Sequence, residues 1–175
     1  MTTLRPFRAE DLFKVNNINL DPLTETYNIP FYMMYLCTWP SLQYMCEDPN
    51  GRLMGYVIGK AEGDLNLWHG HVSAVTVSPE YRRLGLARLL MDYLELCSGK
   101  PNFYNAYFVD LFVRVSNSLA ISMYHQLGYT IYRRVLDYYS GEEDAFDMRK
   151  AMSRDIGKKS VVPLTRAIRP DELEW

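Results

Sequence analysis

Apolar residues recur along the chain with two different spacings, and each spacing predicts one kind of secondary structure. Leu86–Cys97 places apolar side chains at positions 86, 89, 90, 94 and 97, the period of an amphipathic helix. Alternating or β-branched runs, typical of strands, occur in seven segments. These segments are residues 2–7, Leu42–Glu47, Leu53–Ala61, His71–Val77, Tyr107–Val115, Tyr129–Leu136 and Phe146–Lys150. The turn Asp48–Gly51 predicts that the second and third strands form a hairpin.

Capping residues predict three further helices and complete the order of elements. The helices are Ala9–Leu20, with acidic residues in its first turn; Ile29–Thr38, with Asn28 as N-cap; and Ser118–Leu127, capped by Asn117 or Ser116 and ended by Gly128. The acidic turn Glu142–Asp144 separates the last two strands, and residues 153–175 show no periodicity and are predicted to form an extended tail. The order βααβββαβαββ predicts an α/β domain with a mixed sheet and helices on its faces.

Composition narrows the class of protein. A chain of 175 residues with 48% hydrophobic and 23% charged residues is typical of one globular domain. A net charge of −2 argues against a general nucleic-acid binder. The sequence predicts neither a membrane span, which needs ~20 consecutive apolar residues, nor a secretory signal. The three cysteines have no metal-ligand spacing, so we expect reduced thiols, a cytoplasmic location and no metal site.

The segment Val75–Ala87 carries the clearest chemical signal. A predicted strand, a loop and the start of a predicted helix follow one another, and free backbone N–H groups at a helix N-terminus form an anion site. Gly85 permits close approach of a ligand to the backbone, and Arg82 and Arg83 add positive charge. A phosphate or pyrophosphate is the expected ligand, although the segment matches neither common nucleotide-binding glycine motif. A surface loop with solvated arginines is the alternative.

The pattern Arg82-x-x-Gly85-x-Ala87 resembles the coenzyme A pyrophosphate loop of the GCN5-related N-acetyltransferase (GNAT) family. The resemblance implies the GNAT fold, a mixed central sheet with helices on both faces, over residues 1–152, followed by the tail 153–175. It implies acetyl-CoA as cosubstrate and no metal. The cofactor-binding residues that it implies are Val75, Thr76, Val77, Arg82, Arg83, Leu84, Gly85, Leu86, Ala87 and Asn117.

The resemblance extends to a narrower group, the catalytic subunits of NatB-type N-terminal acetyltransferases. It rests on segments 16–27, 68–71, 81–87, 110–117, 127–129, 137–139 and 147–150. It implies acetylation of the α-amine of nascent proteins beginning Met-Asp, Met-Glu, Met-Asn or Met-Gln, at the ribosome, with a large helical-repeat auxiliary subunit as partner. The implied catalytic residues are Tyr124 and His71; the implied substrate-binding residues are Glu25, Tyr27, His71, Ser73, Phe112, Asn117, Tyr138 and Tyr139.

The chemistry of these residues fits those roles, with alternatives open. Tyr124 lies two helical turns after Asn117, so a phenol on the same helix face can protonate a leaving thiolate. His71 can donate to a substrate carboxylate or amide, or relay the proton of the α-amine through water. Both side chains can instead be structural, and a lysine acetyltransferase or a non-catalytic acetyl-CoA-binding module are rival functions. The apolar helix Ile29–Thr38 and the tail are candidate partner surfaces.

Overall fold

The computed structural model describes residues 1–140 and 143–173, and the predicted mixed α/β fold is confirmed. The strands are β1 (Thr3–Pro6), β2 (Gln43–Glu47), β3 (Leu53–Glu62), β4 (His69–Val77), β5 (Phe108–Arg114), β6 (Thr130–Tyr139) and β7 (Glu143–Ala151). The α-helices are α1 (Ile29–Thr38), α2 (Leu86–Gly99) and α3 (Ser118–Gln126). The strand order is β1-β2-β3-β4-β5-β7-β6. None of the helices in the described ranges has both the length and the apolarity needed to cross a membrane.

The predicted helix over Ala9–Leu20 is wrong. The structure has two short 3-10 helices there, Ala9–Phe13 and Val15–Asn17. The apolar residues Leu12, Val15 and Ile18 recur every three residues, which is the period of a 3-10 helix rather than of an α-helix. Val15 and Ile18 are buried by this arrangement.

Every other predicted helix and strand forms, with changes at its ends. β4 begins at His69, two residues before the predicted start, and β6 continues through Tyr139. β7 begins at Glu143; Glu142 of the predicted acidic turn lies outside the described residues. These extensions bring further polar and aromatic side chains into the sheet.

The chain divides into two compact units, and the first comprises residues 1–60 and 72–97. It contains β1, β2 and β3 in antiparallel pairing, the end of β4, and helices α1 and α2. Its core includes Ile18, Met45, Tyr56 and Ile58, all fully buried. The Asn28 side chain caps α1, as predicted, by accepting a hydrogen bond from the backbone N–H of residue 31.

The second unit comprises residues 61–71 and 98 onwards. It contains the start of β4, the antiparallel strands β5, β7 and β6, and helix α3. The segment 153–173 contributes to this unit instead of extending into solvent. Ile168 is buried against Val135 and Ala145, and its carbonyl accepts a hydrogen bond from the backbone N–H of Leu136. The segment thus continues the packing of β6.

Candidate active site

The loop before α2 has the backbone geometry of an anion site. α2 begins at Leu86, and two residues just before it, Arg83 and Gly85, have left-handed φ angles of 66° and 79°. Successive left-handed and helical residues turn backbone N–H groups toward one point, where an anion binds. The φ of 79° favours glycine at position 85, and a Cβ built there would meet no atom within 4 Å, so the space beside the backbone is open. The loop therefore fits a pyrophosphate.

The two arginines of the loop differ in how they are held. The Nε of Arg82 donates to the carbonyl of Val77 at 3.2 Å, and its Nη2 donates to Asp21 at 3.2 Å. These contacts fix the guanidinium beside the end of β4. Arg83 is exposed, as are Leu84 and Gly85. The positive charge of Arg82 is thus already paired with Asp21, while Arg83 supplies a charge that a ligand can order.

The other predicted cofactor residues of the first unit lie on β4 and in the first turn of α2. Thr76 and Leu86 are buried, whereas Val75, Val77 and Ala87 are half-buried. Within the described part of the chain, the Thr76 hydroxyl oxygen is buried without a hydrogen-bond partner. Thr76 therefore keeps unused hydrogen-bonding capacity on β4.

Helix α3 carries the proposed acid. Its N-cap is Asn117, whose side-chain oxygen accepts from the backbone N–H of Ala120 at 3.2 Å. Two turns later Tyr124 is buried, with its ring 5.9 Å from that of Tyr129 in an edge-on arrangement. Burial raises the pKa of Tyr124, because the phenolate would lose its hydration. The phenol is therefore protonated at neutral pH and is chemically able to donate.

In the first unit, the predicted peptide residues Tyr27 and Ser73 are in contact. The Tyr27 hydroxyl donates to the Ser73 carbonyl at 3.0 Å, and the Ser73 hydroxyl donates to that of Tyr35 at 3.0 Å. The Tyr27 ring stacks on Phe31, with centroids 3.9 Å apart. Glu25 is half-buried in the segment before α1. Sequence reasoning missed Tyr35, which holds the Ser73 side chain.

In the second unit, four predicted residues form an aromatic group. The ring of His71 lies 5.5 Å from that of Phe112, which in turn stacks on Tyr138 at 4.6 Å. The Tyr139 hydroxyl donates to the carbonyl of Phe112 at 3.1 Å. Tyr139 is therefore held against the backbone of β5.

Buried charges beside His71 were not predicted. The His71 Nδ1 lies 2.7 Å from an Asp110 carboxylate oxygen, and the His69 Nε2 lies 3.7 Å from that same oxygen. Burial opposes ionisation of Asp110, but attraction by His69 and His71 and the hydrogen bond from His71 hold its pKa below the usual value. A charged residue inside the apolar run 107–115 was the available signal in the sequence. Asp110 is therefore a carboxylate placed against a histidine.

The same region contains a group with metal-ligand spacing. Glu62, His69 and His71 each place one potential ligand atom within 4.8 Å of the others. Cysteine spacing, on which the expectation of no metal site rested, could not reveal this cluster. One member of this group, His71, already contacts the buried carboxylate of Asp110.

Comparison with known proteins identifies the family. Residues 12–129 match the model of the acetyltransferase (GNAT) family. The chain is 60% identical to N-alpha-acetyltransferase 20 of Dictyostelium discoideum, over 99% of both chains. It is 61% identical to the N-terminal acetyltransferase B complex catalytic subunit NAA20 of Arabidopsis thaliana, over 100% of this chain and 99% of that one. The chain belongs to the GNAT family, among its NatB-type catalytic subunits.

A solved structure agrees with this placement. Naa20 of Chaetomium thermophilum, in complex with a bisubstrate analogue, superposes with a TM-score of 0.90 at 42% identity, covering 97% of both chains. The GNAT fold and the N-terminal acetyltransferase class implied by the sequence resemblance are thereby confirmed.

Proposed function

We propose that this protein transfers the acetyl group of acetyl-CoA to the α-amine of proteins beginning Met-Asp, Met-Glu, Met-Asn or Met-Gln. The proposal rests mainly on the left-handed backbone at Arg83 and Gly85 before α2. This loop occurs in a chain that is similar to NatB catalytic subunits over its whole length. A solved NatB complex, whose catalytic chain is 46% identical to this one, is described as bound to CoA. The pyrophosphate of the cosubstrate would bind residues 82–87, with Asn117 and β4 residues 75–77 as further contacts.

Acetyl transfer by this chain would proceed by direct attack in a ternary complex. A neutral α-amine attacks the thioester carbonyl carbon, the C–N bond forms, and the C–S bond breaks. Tyr124 donates its proton to the departing thiolate, a role that its protonated state supports. The amine nitrogen gives one proton to water, and Tyr124 takes one proton back from water. Because an α-amine has a pKa of ~7.7–8.0, only modest assistance is needed to deprotonate it. A backbone N–H near Val75–Val77 would stabilise the oxyanion.

The second residue of the substrate would be selected through the oxygen atom of its side chain. Asp, Glu, Asn and Gln all present a carbonyl-type oxygen that accepts hydrogen bonds, so the pocket must supply donors. The peptide contacts that we propose lie among Glu25, Tyr27, His71, Ser73, Phe112, Asn117, Tyr138 and Tyr139. Among these, Tyr138 stacks on Phe112 and is an aromatic side chain with a hydroxyl donor.

A large auxiliary subunit is the proposed partner, with α1 as its docking surface. Ile29, Met33 and Met34 expose 60%, 38% and 50% of their surface on this helix. Solved NatB structures similar to this chain are described as complexes. We further propose that the resulting heterodimer works in the cytoplasm on ribosomes. Co-sedimentation of the tagged heterodimer with ribosomes in a sucrose gradient tests this, and its absence from ribosomal fractions would refute it.

The decisive experiment is acetyl transfer to a peptide panel, with and without the co-purified auxiliary subunit. The panel contains Met-Asp, Met-Asn, Met-Leu, Ser-initiated and N-blocked lysine peptides. We expect transfer to the Met-Asp and Met-Asn peptides only. Transfer to lysine or Ser-initiated peptides would overturn the substrate class. Binding of acetyl-CoA without transfer to any peptide would favour a non-catalytic module.

A further inference from the structure

Residues 164–173, here called the edge segment, pair with β6, which is the last strand of the sheet. The backbone N–H groups of Leu164 and Ile168 donate to carbonyls of β6 at 2.7 and 3.0 Å, and the Ile168 carbonyl accepts from the N–H of Leu136 at 2.8 Å. Ile168 also forms a parallel bridge with Val135. Because a strand at the edge of a sheet has backbone groups without a neighbouring strand, the edge segment supplies hydrogen-bond partners for this side of β6.

The end of β6 that the edge segment contacts is irregular. The register with β7 shifts within residues 135–139, and Asp137 in this stretch has a left-handed φ of 52°. That conformation is unfavourable for a residue other than glycine, and an irregularity of this kind changes the direction of nearby side chains. The backbone N–H of Asp137 donates to Asp144 of β7 at 2.9 Å, and its carboxylate accepts from Arg169 of the edge segment at 3.3 Å. The bend directly before Tyr138 is therefore held from β7 and from the edge segment.

Apolar side chains of the edge segment contact the aromatic group of the proposed peptide site. Ile168 is 8% exposed and belongs to a buried cluster against which Phe112, Tyr138 and Leu173 pack. The Tyr138 ring stacks on that of Phe112, with centroids 4.6 Å apart. Leu173 and Phe112 also line the same cavity. The position of Tyr138 over Phe112 therefore depends on side chains that follow it in the sequence by about 30 residues.

Among these contacts, burial gives the apolar ones the greater weight. The side chains of Arg169 and Asp137 are 64% and 47% exposed, and an ion pair in water contributes little. Ile168 is buried, so a smaller side chain there leaves space into which its neighbours can move. A displacement of about 1 Å at a group that contacts substrate is enough to weaken its interaction. Truncation of Ile168 should therefore disturb Tyr138 more than loss of the ion pair does.

We propose that Ile168 and Leu173 are positioning residues of the peptide site, which hold Tyr138 against Phe112 so that the Tyr138 side chain meets the substrate peptide in a fixed place. This proposal rests on the proposed N-terminal acetyltransferase function. The contacts that carry it include none of the residues proposed to bind acetyl-CoA. Loss of either positioning residue should therefore weaken binding of the peptide and leave binding of the cosubstrate unchanged.

Steady-state kinetics of the co-purified heterodimer test the proposal. Ile168→Ala should raise KM for a Met-Asp peptide about 5- to 30-fold, with kcat and KM for acetyl-CoA within about twofold, because loss of a binding contact raises KM alone. Ile168→Val keeps a β-branched side chain and should keep the peptide KM within about threefold of the wild type. Val109→Ala is the matched control: Val109 is fully buried, but it lies on the opposite face of β5 from Phe112.

A double-mutant cycle separates positioning from a general loss of stability. If Ile168 acts through Tyr138, Ile168→Ala should raise the peptide KM no further in a Tyr138→Ala background. A full additional rise in that background would overturn the proposal, as would an unchanged KM in Ile168→Ala or an equal rise in Val109→Ala. Should Ile168→Ala fail to fold, Leu173→Ala, at a half-buried position, takes its place with an expected rise of about 2- to 10-fold. An unchanged peptide KM in Leu173→Ala would also overturn the proposal.

Hydrogen exchange separates failure of this proposal from failure of the function on which it rests. Amide exchange of residues 134–139, followed by mass spectrometry, reports their pairing with the edge segment whether or not the enzyme is active. Ile168→Ala, or Leu173→Ala in its place, should speed exchange in this stretch, and unchanged exchange would overturn the proposal. If the wild type acetylates no Met-Asp peptide while exchange responds as expected, the proposed function is refuted, and the edge segment still positions Tyr138.

Discussion

Replacing Asp147 on β7 is predicted to destabilise the protein strongly. This side chain is fully buried and lies between two guanidiniums. Arg133 donates to it at 2.9 Å, and Arg149 donates at 3.0 and 3.1 Å. Both arginine side chains are themselves more than nine-tenths buried. Asp147→Ala would therefore leave two cations without their shared carboxylate in an environment that water hardly reaches.

The magnitude follows from this environment. A hydrogen bond to a charged group contributes roughly 1.5–3 kcal/mol, but the three bonds share one acceptor and do not add. Removing one partner of a buried ion pair costs about 3–5 kcal/mol, mainly through the uncompensated charge that remains. For a domain of this size, 1 kcal/mol corresponds to about 2–4 °C in Tm. We therefore expect Asp147→Ala to lower Tm by roughly 6–20 °C.

Urea unfolding followed by circular dichroism measures the change in the free energy of unfolding. The control is Arg166→Ala, which removes the partner of Glu172 in an ion pair whose side chains are 79% and 38% exposed. An exposed pair contributes about 0–1 kcal/mol. The reasoning is refuted if the two variants lose the same stability, since burial would then not determine the cost.

Three further outcomes are expected. Gly85→Ala should raise KM for acetyl-CoA about 5- to 30-fold, because a left-handed alanine costs roughly 1–2 kcal/mol; an unchanged KM in steady-state kinetics would contradict this. Tyr124→Phe should lower kcat on the order of 10²–10⁴-fold with little change in acetyl-CoA affinity by calorimetry; an unchanged kcat would remove Tyr124 from the acid role. Burial opposes ionisation of Asp11, but the hydrogen bonds from the Arg5 side chain and the Arg8 backbone N–H, together with the attraction of both arginines, outweigh it and lower the pKa of Asp11. Because the pKa of Asp11 is lower in the folded protein, its ionisation stabilises the fold above the unfolded pKa of about 3.9, and this stabilisation is lost as pH falls through the folded pKa. Asp11→Asn should therefore make the free energy of unfolding less dependent on pH in the acid range.

The helix caps and the loop before α2 could be predicted from the sequence because their signals are local. The glycine of the anion loop, the Asn28 and Asn117 caps and the period of α2 each depend on residues within a few positions of one another. Local sterics and backbone hydrogen bonding favour such features whatever the distant contacts are. The family resemblance added roles for particular residues, of which Tyr124 and His71 are the most specific.

The 3-10 helix Ala9–Phe13 shows that the local sequence pattern was not enough to predict the type of helix. Acidic residues in a first turn are compatible with either kind of helix, and the deciding contacts are tertiary. The Asp11 carboxylate accepts from the Arg5 guanidinium and from the backbone N–H of Arg8, which ties this turn to β1.

Sequence alone therefore determined most of the secondary structure, the glycine of the loop before α2 and the acetyltransferase class, whereas tertiary structure decided the 3-10 turns of residues 9–17 and which polar groups are buried together. His71 and Asp110 are 39 residues apart in the chain and lie on different strands. Ile168, in a segment without periodicity, is buried against β6 for the same reason. Such pairs depend on the order and register of the strands. The periodicity of one segment does not indicate which residue of another strand will lie beside it.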